Sequence, residues 1–310
     1  MITVLGSLNM DIVARVDRYP VRGETKFGRS VELLAGGKGA NQAAACGRLG
    51  KKAVLIGCVG HDLFGEKLLC SLQDCGVDTQ WVKVTAEAPT GTTVATVDSA
   101  AENTLIVAIG ANRLLTIEDV EAGMERIRQS TVLLVQMEIP HETALYAMRK
   151  AREHGVFVIL DPAPADGVTA DMLVYADLVT PNKQEVGMIA GIDVMDDETA
   201  AAAANWFAQA GVPNCIIKMG ENGSLLYANG EFTRIPGIPV QAVDTIGAGD
   251  SFAGALATAI DDGASLTEAA AFAAAVSALK VTRAGAQTGL PTREELEVFC
   301  QERNIALYRT

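Results

Sequence analysis

The residues with the most chemistry to offer stand toward the carboxyl-terminal end, in Val243-Asp244-Thr245-Ile246-Gly247-Ala248-Gly249-Asp250-Ser251-Phe252. A strand-like run ends there and two glycines mark a turn. Phe252, Leu256 and Ile260 then recur at helical spacing, so a helix begins at the glycines. A helix start leaves backbone N–H groups unpaired and carries the positive end of the helix dipole, which suits a phosphate or a developing oxyanion. Glycine lets the backbone approach such a group closely. Asp250 is then an acid fixed beside an anion hole. It is placed to accept a hydroxyl proton while the amides of Gly247, Ala248 and Gly249 stabilise the charge that builds up. That combination points to phosphoryl transfer to an alcohol. The structural alternative is a helix start at which Asp is favoured for its own sake, so the other polar clusters must decide.

A second glycine-rich stretch, Ala35-Gly36-Gly37-Lys38-Gly39-Ala40-Asn41-Gln42-Ala43, leads into a helix carrying Ala43, Ala44, Cys46 and Leu49. It is not a Walker A loop, because G-x-x-x-x-G-K-[S/T] is absent. Either the glycines pack the helix start tightly on a sheet, or Lys38, Asn41 and exposed glycine amides grip the hydroxyls of a small polar ligand. Asn9 and Asp11 follow the first apolar strand at residues 2–6, where open α/β sheets gather ligands. A G-x-G-x-x-G dinucleotide fingerprint is missing there, which argues against a dehydrogenase. Three more polar clusters follow strand ends: Gln136-Met137-Glu138, Asp161-Pro162-Ala163-Pro164 and Pro181-Asn182-Lys183-Gln184-Glu185. Each also suits a cap or turn, and Asp161-Pro162 is assigned to a turn. Asn182 and Glu185, three apart in a first helical turn, can point the same way and hold a hydrated Mg2+, which binds through few protein oxygens.

The elements that must position these groups follow an α/β rhythm. Helices are expected at about 116–129 and 141–154, and strands at 132–135, 156–160, 177–180, 215–217 and 224–227. Near-continuous apolar strands alternating with helices mean a mostly parallel central sheet covered on both faces. Capping boxes at Ser265-Leu266-Thr267-Glu268 and Thr292-Arg293-Glu294-Glu295 open two late helices. Residues 12–35 and 79–109 lack a helical period and are expected to leave the main sheet as a small β-sheet lid. A small sheet with one apolar face needs a cover, either ligand or a second subunit, which points to a homodimer through the lid. The 310 residues thus read as a single α/β domain with this lid.

A net charge of −13 argues against non-specific nucleic-acid binding and against docking on an anionic membrane. No apolar run is long enough to span a bilayer. The first residues lead straight into a strand, so no signal peptide is expected. The six cysteines form no C-x-x-C pair, and with no His at metal-ligand spacing they suit a reduced, cytoplasmic protein.

Assembled in this order, the residues resemble the PfkB family of carbohydrate kinases, on its ribokinase side, over essentially the whole chain. The signatures are Gly36-Gly37-Lys38-Gly39-Ala40-Asn41-Gln42-Ala43 and Asp244-Thr245-Ile246-Gly247-Ala248-Gly249-Asp250. Supporting segments are Gly6-Ser7-Leu8-Asn9-Met10-Asp11, Asp161-Pro162-Ala163-Pro164-Ala165, Thr180-Pro181-Asn182 and Val281-Thr282-Arg283-Ala284-Gly285-Ala286-Gln287. The resemblance implies a ribokinase-like fold and ATP-dependent, Mg2+-assisted phosphorylation of the primary hydroxyl of D-ribose or a close relative. Deoxyribose, fructose and nucleoside kinases stay open, as does a non-catalytic sugar-binding regulator.

The resemblance further implies that Asn9, Asp11, Gly37, Lys38, Gly39, Ala40, Asn41 and Glu138 bind the sugar and that Asp250 is the base. Asn182, Lys218, Met219, Gly220, Glu221, Asn222, Gly223 and Gly249 would line the nucleotide site, with Glu185 positioning Mg2+ indirectly. A monovalent cation, K+, would sit on Asp244, Ile246 and backbone oxygens near Lys280, Arg283, Gly285 and Gly289. The chain departs from the family pattern in having Lys218 where Thr is usual, Ala274 where a polar side chain often sits near the base, and Gly289, beside Lys280, in place of a Ser of the cation site.

Overall fold

The apolar runs of the sequence become strands because both of their faces are covered. Ala53–Gly60 and Val132–Val135 are buried at every residue. In the computed structural model, which describes residues 1–99 and 103–308, the chain begins with β1 (Ile2–Leu5), β2 (Asn9–Arg15), β3 (Ser30–Gly36), α1 (Lys38–Arg48), β4 (Ala53–Gly60), α2 (Leu63–Asp74) and β5 (Val77–Thr85). It continues through β6 (Gly91–Val97), β7 (Asn103–Ala108), α3 (Ile117–Ala122), α4 (Met124–Arg128), β8 (Val132–Val135), α5 (His141–Glu153), β9 (Phe157–Leu160), α6 (Ala170–Leu173) and β10 (Leu178–Val179). The last part holds α7 (Lys183–Ala190), α8 (Asp197–Gln209), β11 (Asn214–Lys218), β12 (Ser224–Ala228), β13 (Glu231–Ile235), α9 (Ala248–Asp261), α10 (Leu266–Val281) and α11 (Arg293–Glu302).

The nine-stranded sheet runs β13-β12-β11-β10-β9-β8-β1-β4-β5, parallel from β11 to β5 with an antiparallel β12 and β13 at one edge. Alternate residues feed two cores. Ile2, Val4, Val132 and Leu134 pack under α1, α9 and α10, while Leu5, Leu133 and Val135 pack under α5 and α8. Because β1 pairs with β4 on one side and β8 on the other, the chain reverses direction across the sheet at β1. Such a switch point opens a crevice at the carboxyl ends of the strands.

The lid is a four-stranded sheet in the order β3-β2-β6-β7. Residues 79–85, expected in the lid, instead belong to β5 of the main sheet, paired in parallel with β4. β5 is an edge strand, so its alternating exposure resembles that of a two-stranded flap. The expected lid positions 100–102 lie outside the described residues. The helix expected over 116–129 is divided at Gly123 into α3 and α4. Both late capping boxes form. No helix among the described residues is long and apolar enough to cross a membrane.

Helix α9 is buried from Asp250 to Ala259, not on one face alone. Small residues allow this. A Cβ added to Gly254 would lie 2.6 Å from the Ala45 Cβ and 2.7 Å from the Gln42 carbonyl, so α9 and α1 touch along their backbones. Leu256, fully buried beside this contact, contributes about 1.5–3 kcal/mol by leaving water.

Candidate active site

The polar residues singled out by sequence follow one strand end after another. Gly6 to Asn9 follow β1, Gln136 and Glu138 follow β8, Asp161 follows β9, Thr180 and Asn182 follow β10, and Lys218 closes β11. Helices α1 and α9 bring their amino-terminal ends to the same crevice. The expected 37–41 loop is in fact a cap plus the first turn of α1, with Gly37 at φ 89°. A side chain there would meet the Asn9 nitrogen at 2.5 Å, so only glycine permits this approach to the start of β2.

Gly247 caps α9 in the left-handed region (φ 74°) with no side-chain cap. The Ala248 N–H donates to the Thr245 carbonyl at 3.1 Å. That removes Ala248 from the anion hole expected of it. The Gly247 and Gly249 amides show no partner among the described residues. Asp250 is buried, and its carboxylate accepts from Asn41 Nδ2 at 2.8 Å and from Gln42 Nε2 at 3.3 Å. Gln42 Nε2 also donates to Asp161 at 2.9 Å, so one amide bridges two carboxylates. Asp161 accepts further from Thr180 at 3.2 Å and from Lys218 Nζ at 3.0 Å. Behind Asn41 stand Gln287 (3.2 Å) and Ser71.

A cavity of about 190 Å3 opens in front of these groups. Its walls are Lys38, Asp161, Asn182, Glu185, Lys218, Thr245 and the run from Gly247 through Ala248 and Gly249 to Asp250. Lys38 therefore faces the same space as Lys218, where sequence assigned it to the sugar. A larger hollow of about 850 Å3 lies against the lid, with Asn9, Val107, Asn112, Glu138 and His141 on its wall. Asn9 Nδ2 donates to Glu138 at 3.4 Å, Ser7 Oγ donates to the same oxygen at 2.5 Å, and Asn112 Nδ2 donates to Asn9 Oδ1 at 2.8 Å. Asp11 sits over Gly36, where any Cβ would strike its carboxylate.

The electrostatics follow from this crowding. Burial pushes Asp250 up to about 6, against the pull of Lys38 and Asn41. Burial likewise pushes Asp11 up to about 6; Thr93 opposes the shift, and the charges of Glu138 and Asp250 add to it. For Lys38 burial works against the charge, yet Asp250 and Glu138 hold it above its ordinary value. Lys218 behaves alike, kept protonated by Asp161 and Glu185. Glu185 is raised by burial.

Asn182 and Glu185 meet as expected, but as a reciprocal cap. Glu185 N donates to Asn182 Oδ1 at 2.9 Å, and Asn182 Nδ2 donates to Glu185 Oε1 at 2.7 Å. Among the described residues no group of three or more His, Cys, Asp or Glu side chains is placed to hold a metal by itself. Of the expected nucleotide turn, Met219 is buried in the core and Gly220, Glu221, Asn222 and Gly223 form a turn off the cavity wall. The expected cation residues surround the α9 loop. Asp244 accepts from the Ile246 and Gly285 amides, Arg283 pairs with Glu295 at 2.9 Å, and the Gly289 amide donates to the Gly285 carbonyl. The Lys280 ammonium itself donates to the carbonyls of Asp244 (3.0 Å) and Ile246. Sequence reasoning named Gln42 and Asp161 within their motifs but gave neither a role in the site. Each sits inside or beside a recognised motif, but nothing local marks it as a bridge.

The family described as pfkB family carbohydrate kinase matches residues 1–293. A ribokinase of Haemophilus influenzae is 37% identical over 300 residues, covering 97% of this chain and 98% of the relative. Among solved structures, ribokinase of Thermotoga maritima superposes with a TM-score of 0.89 at 36% identity, covering 97% of this chain and 99% of the other. Arabidopsis thaliana ribokinase complexed with ribose and ATP gives 0.90 at 33% identity, over 96% and 97%. The chain belongs to the pfkB family of carbohydrate kinases.

Proposed function

We propose that the protein transfers the γ-phosphoryl group of ATP to the primary hydroxyl of D-ribose. The observation that carries this reading is the buried Asp250 carboxylate at the uncapped start of α9, held by Asn41 at 2.8 Å beside a cavity flanked by Lys38 and Lys218. Asn9, Asp11, Asn41 and Glu138, with the backbone at Gly37 and Gly39, hold the sugar hydroxyls; Ala40, expected among them, is buried with its N–H donated to the Ser7 carbonyl at 2.9 Å. Asp250 takes the proton of the attacking hydroxyl, the oxygen bonds to the γ-phosphorus, and ADP leaves. The Gly247 and Gly249 amides and the α9 dipole stabilise the charge on the transferring group. Lys38 and Lys218 neutralise phosphate charge from two sides. Little covalent work falls to the protein, so positioning and charge stabilisation carry the reaction.

The donor set suits Mg2+ brought with the nucleotide. Four carboxylates (Glu138, Asp161, Glu185 and Asp250) act on Lys38, three of them also on Lys218, and Glu185 and Asp161 stand beside the phosphate cavity. They would hold the ion through its water shell. When bound it supplies charge neutralisation at the phosphate oxygens. The nucleotide base would lie toward Asn182 and the turn at 219–223.

A homodimer through the lid is supported by a row of Leu33, Ile12, Val94 and Ile106 that crosses all four lid strands, three of them exposed and Ile106 by 71%. An apolar face of this kind calls for a cover. All six cysteines are free, which suits work in the reducing cytoplasm.

The test is ADP release with Mg-ATP across ribose, deoxyribose, fructose and nucleosides, with Asp250→Asn as control. Ribose is expected as the preferred acceptor. The variant should lose about 10²–10⁴-fold in kcat, the usual contribution of a general base, while ribose binding persists by calorimetry. An active Asp250→Asn enzyme would sink the assignment.

A further inference from the structure

Lys280 is the one lysine at 0% exposure among the described residues, and it lies on the last turn of α10. Among the described residues its ammonium pairs with no carboxylate. It donates instead to two main-chain carbonyls, those of Asp244 and Ile246, in the loop that opens α9. Taking an ammonium out of water costs several kcal/mol unless acceptors replace the solvent, so these carbonyls and the charge are mutually dependent. Two further contacts fix the same loop. The Asp244 carboxylate accepts from the Ile246 amide at 2.9 Å and the Gly285 amide at 2.8 Å, and Ser277, one turn before Lys280, donates to the Ala248 carbonyl at 3.0 Å.

The consequence lies in peptide geometry. In a trans peptide the C=O and the following N–H point in opposite directions. Holding the Ile246 carbonyl on Lys280 therefore turns the Gly247 N–H away from it, and holding the Asp244 carbonyl does the same for the Thr245 N–H. Thr245 and Gly247 both line the 190 Å3 cavity, and the Gly247 amide has no partner among the described residues. The oxygens on which the family resemblance places a monovalent cation are thus already bonded to a side-chain cation. The residues present do not fit a free K+ at those two carbonyls.

We infer that Lys280 is a built-in cation that aims the anion-hole amides of α9, so that phosphoryl transfer by this enzyme requires no monovalent metal ion. Lys280 is a positioning residue; it touches neither substrate. The inference rests on the kinase reading for its catalytic half only, because the occupancy of the carbonyl pair can be read without turnover.

The experiment uses the full-length protein in tetramethylammonium chloride and in potassium chloride at equal ionic strength. Wild type should show the same kcat and the same melting temperature in both salts. Lys280→Ala should lose kcat in tetramethylammonium by up to about 10²–10³-fold, the cost of removing one oxyanion-hole donor, with the KM for sugar unchanged. Potassium should restore much of that rate and raise the variant's melting temperature. Lys280→Met, which keeps the buried volume, serves if the alanine variant does not fold, and the same loss and rescue are expected of it. Potassium activation of wild type, or a Lys280 variant that is fully active without potassium, would overturn the inference. If no substrate turns over, the potassium-dependent melting shift of the variant and its absence in wild type still decide the point.

Discussion

Replacing Gln42 by methionine removes the amide that bridges Asp250 and Asp161 while keeping the length of the side chain. Gln42 Nε2 reaches Asp161 at 2.9 Å and Asp250 at 3.3 Å, so the base receives the weaker share of the bridge. Hydrogen bonds to charged groups contribute roughly 1.5–3 kcal/mol. Assigning about 1.4 kcal/mol to Asp250 corresponds to one pKa unit. Burial already raises Asp250 to about 6. Losing a donor that favours the ionised form raises it further, toward about 7. The base must be ionised to accept a proton, so activity falls as pH falls through this value. At pH ~6 about half of the wild-type base is ionised against about one-tenth of the variant's, a fivefold loss; at pH ~8 both are about nine-tenths ionised or more. Asp11 titrates in the same range, so the acid limb belongs to both groups together. The assay is kcat/KM for sugar over about pH 5 to 9 for both proteins. An equal loss at low and high pH would refute the electrostatic argument and leave Gln42 a packing residue.

Asp11→Ala should raise the KM for sugar by much more than the KM for ATP in steady-state kinetics, because Asp11 sits in lid strand β2 on the sugar side and off the wall of the phosphate cavity. Equal loss of both would move Asp11 out of the sugar site. Ile106→Asp places a charge in the apolar row of the lid and, on the proposed lid dimer, should leave a monomer in analytical ultracentrifugation where the wild type sediments as a dimer. An unchanged sedimentation coefficient would show that this face does not pair.

The main sheet was legible because its central strands, such as Val132–Val135 and Phe157–Leu160, are apolar at every position, a pattern that burial on both faces explains. The lid was legible in part. β5 was misassigned to it because an edge strand packed on one side alternates just as a lid strand does. The break at Gly123 was invisible because the hydrophobic period continues across it from Val120 to Met124 and Ile127. At the site, Asp250 and Asn41 were legible from their motifs, whereas the Asp161 next to a proline read as a turn. Its partners Gln42 and Lys218 are 119 and 57 residues away in sequence, and no local pattern encodes such meetings. Asn182 and Glu185 were placed by their spacing, but that spacing serves a helix cap as well as a metal. Lys280 stands at the end of an alanine-rich helix, and sequence alone does not tell whether such a lysine reaches solvent or a ring of carbonyls.

The contact at Gly254 lies a full turn of α9 deeper than Asp250, inside the apolar core and away from either cavity. There the absence of a side chain sets how far apart α1 and α9 stand. That gap in turn fixes the 2.8 Å reach from Asn41 to Asp250 and the longer one from Gln42. The setting of the proposed base is thus stored in a buried helix contact that lines neither cavity. Variants selected for altered turnover should accumulate at this helix seam as readily as on the pocket wall, and a pocket-focused library would never sample them.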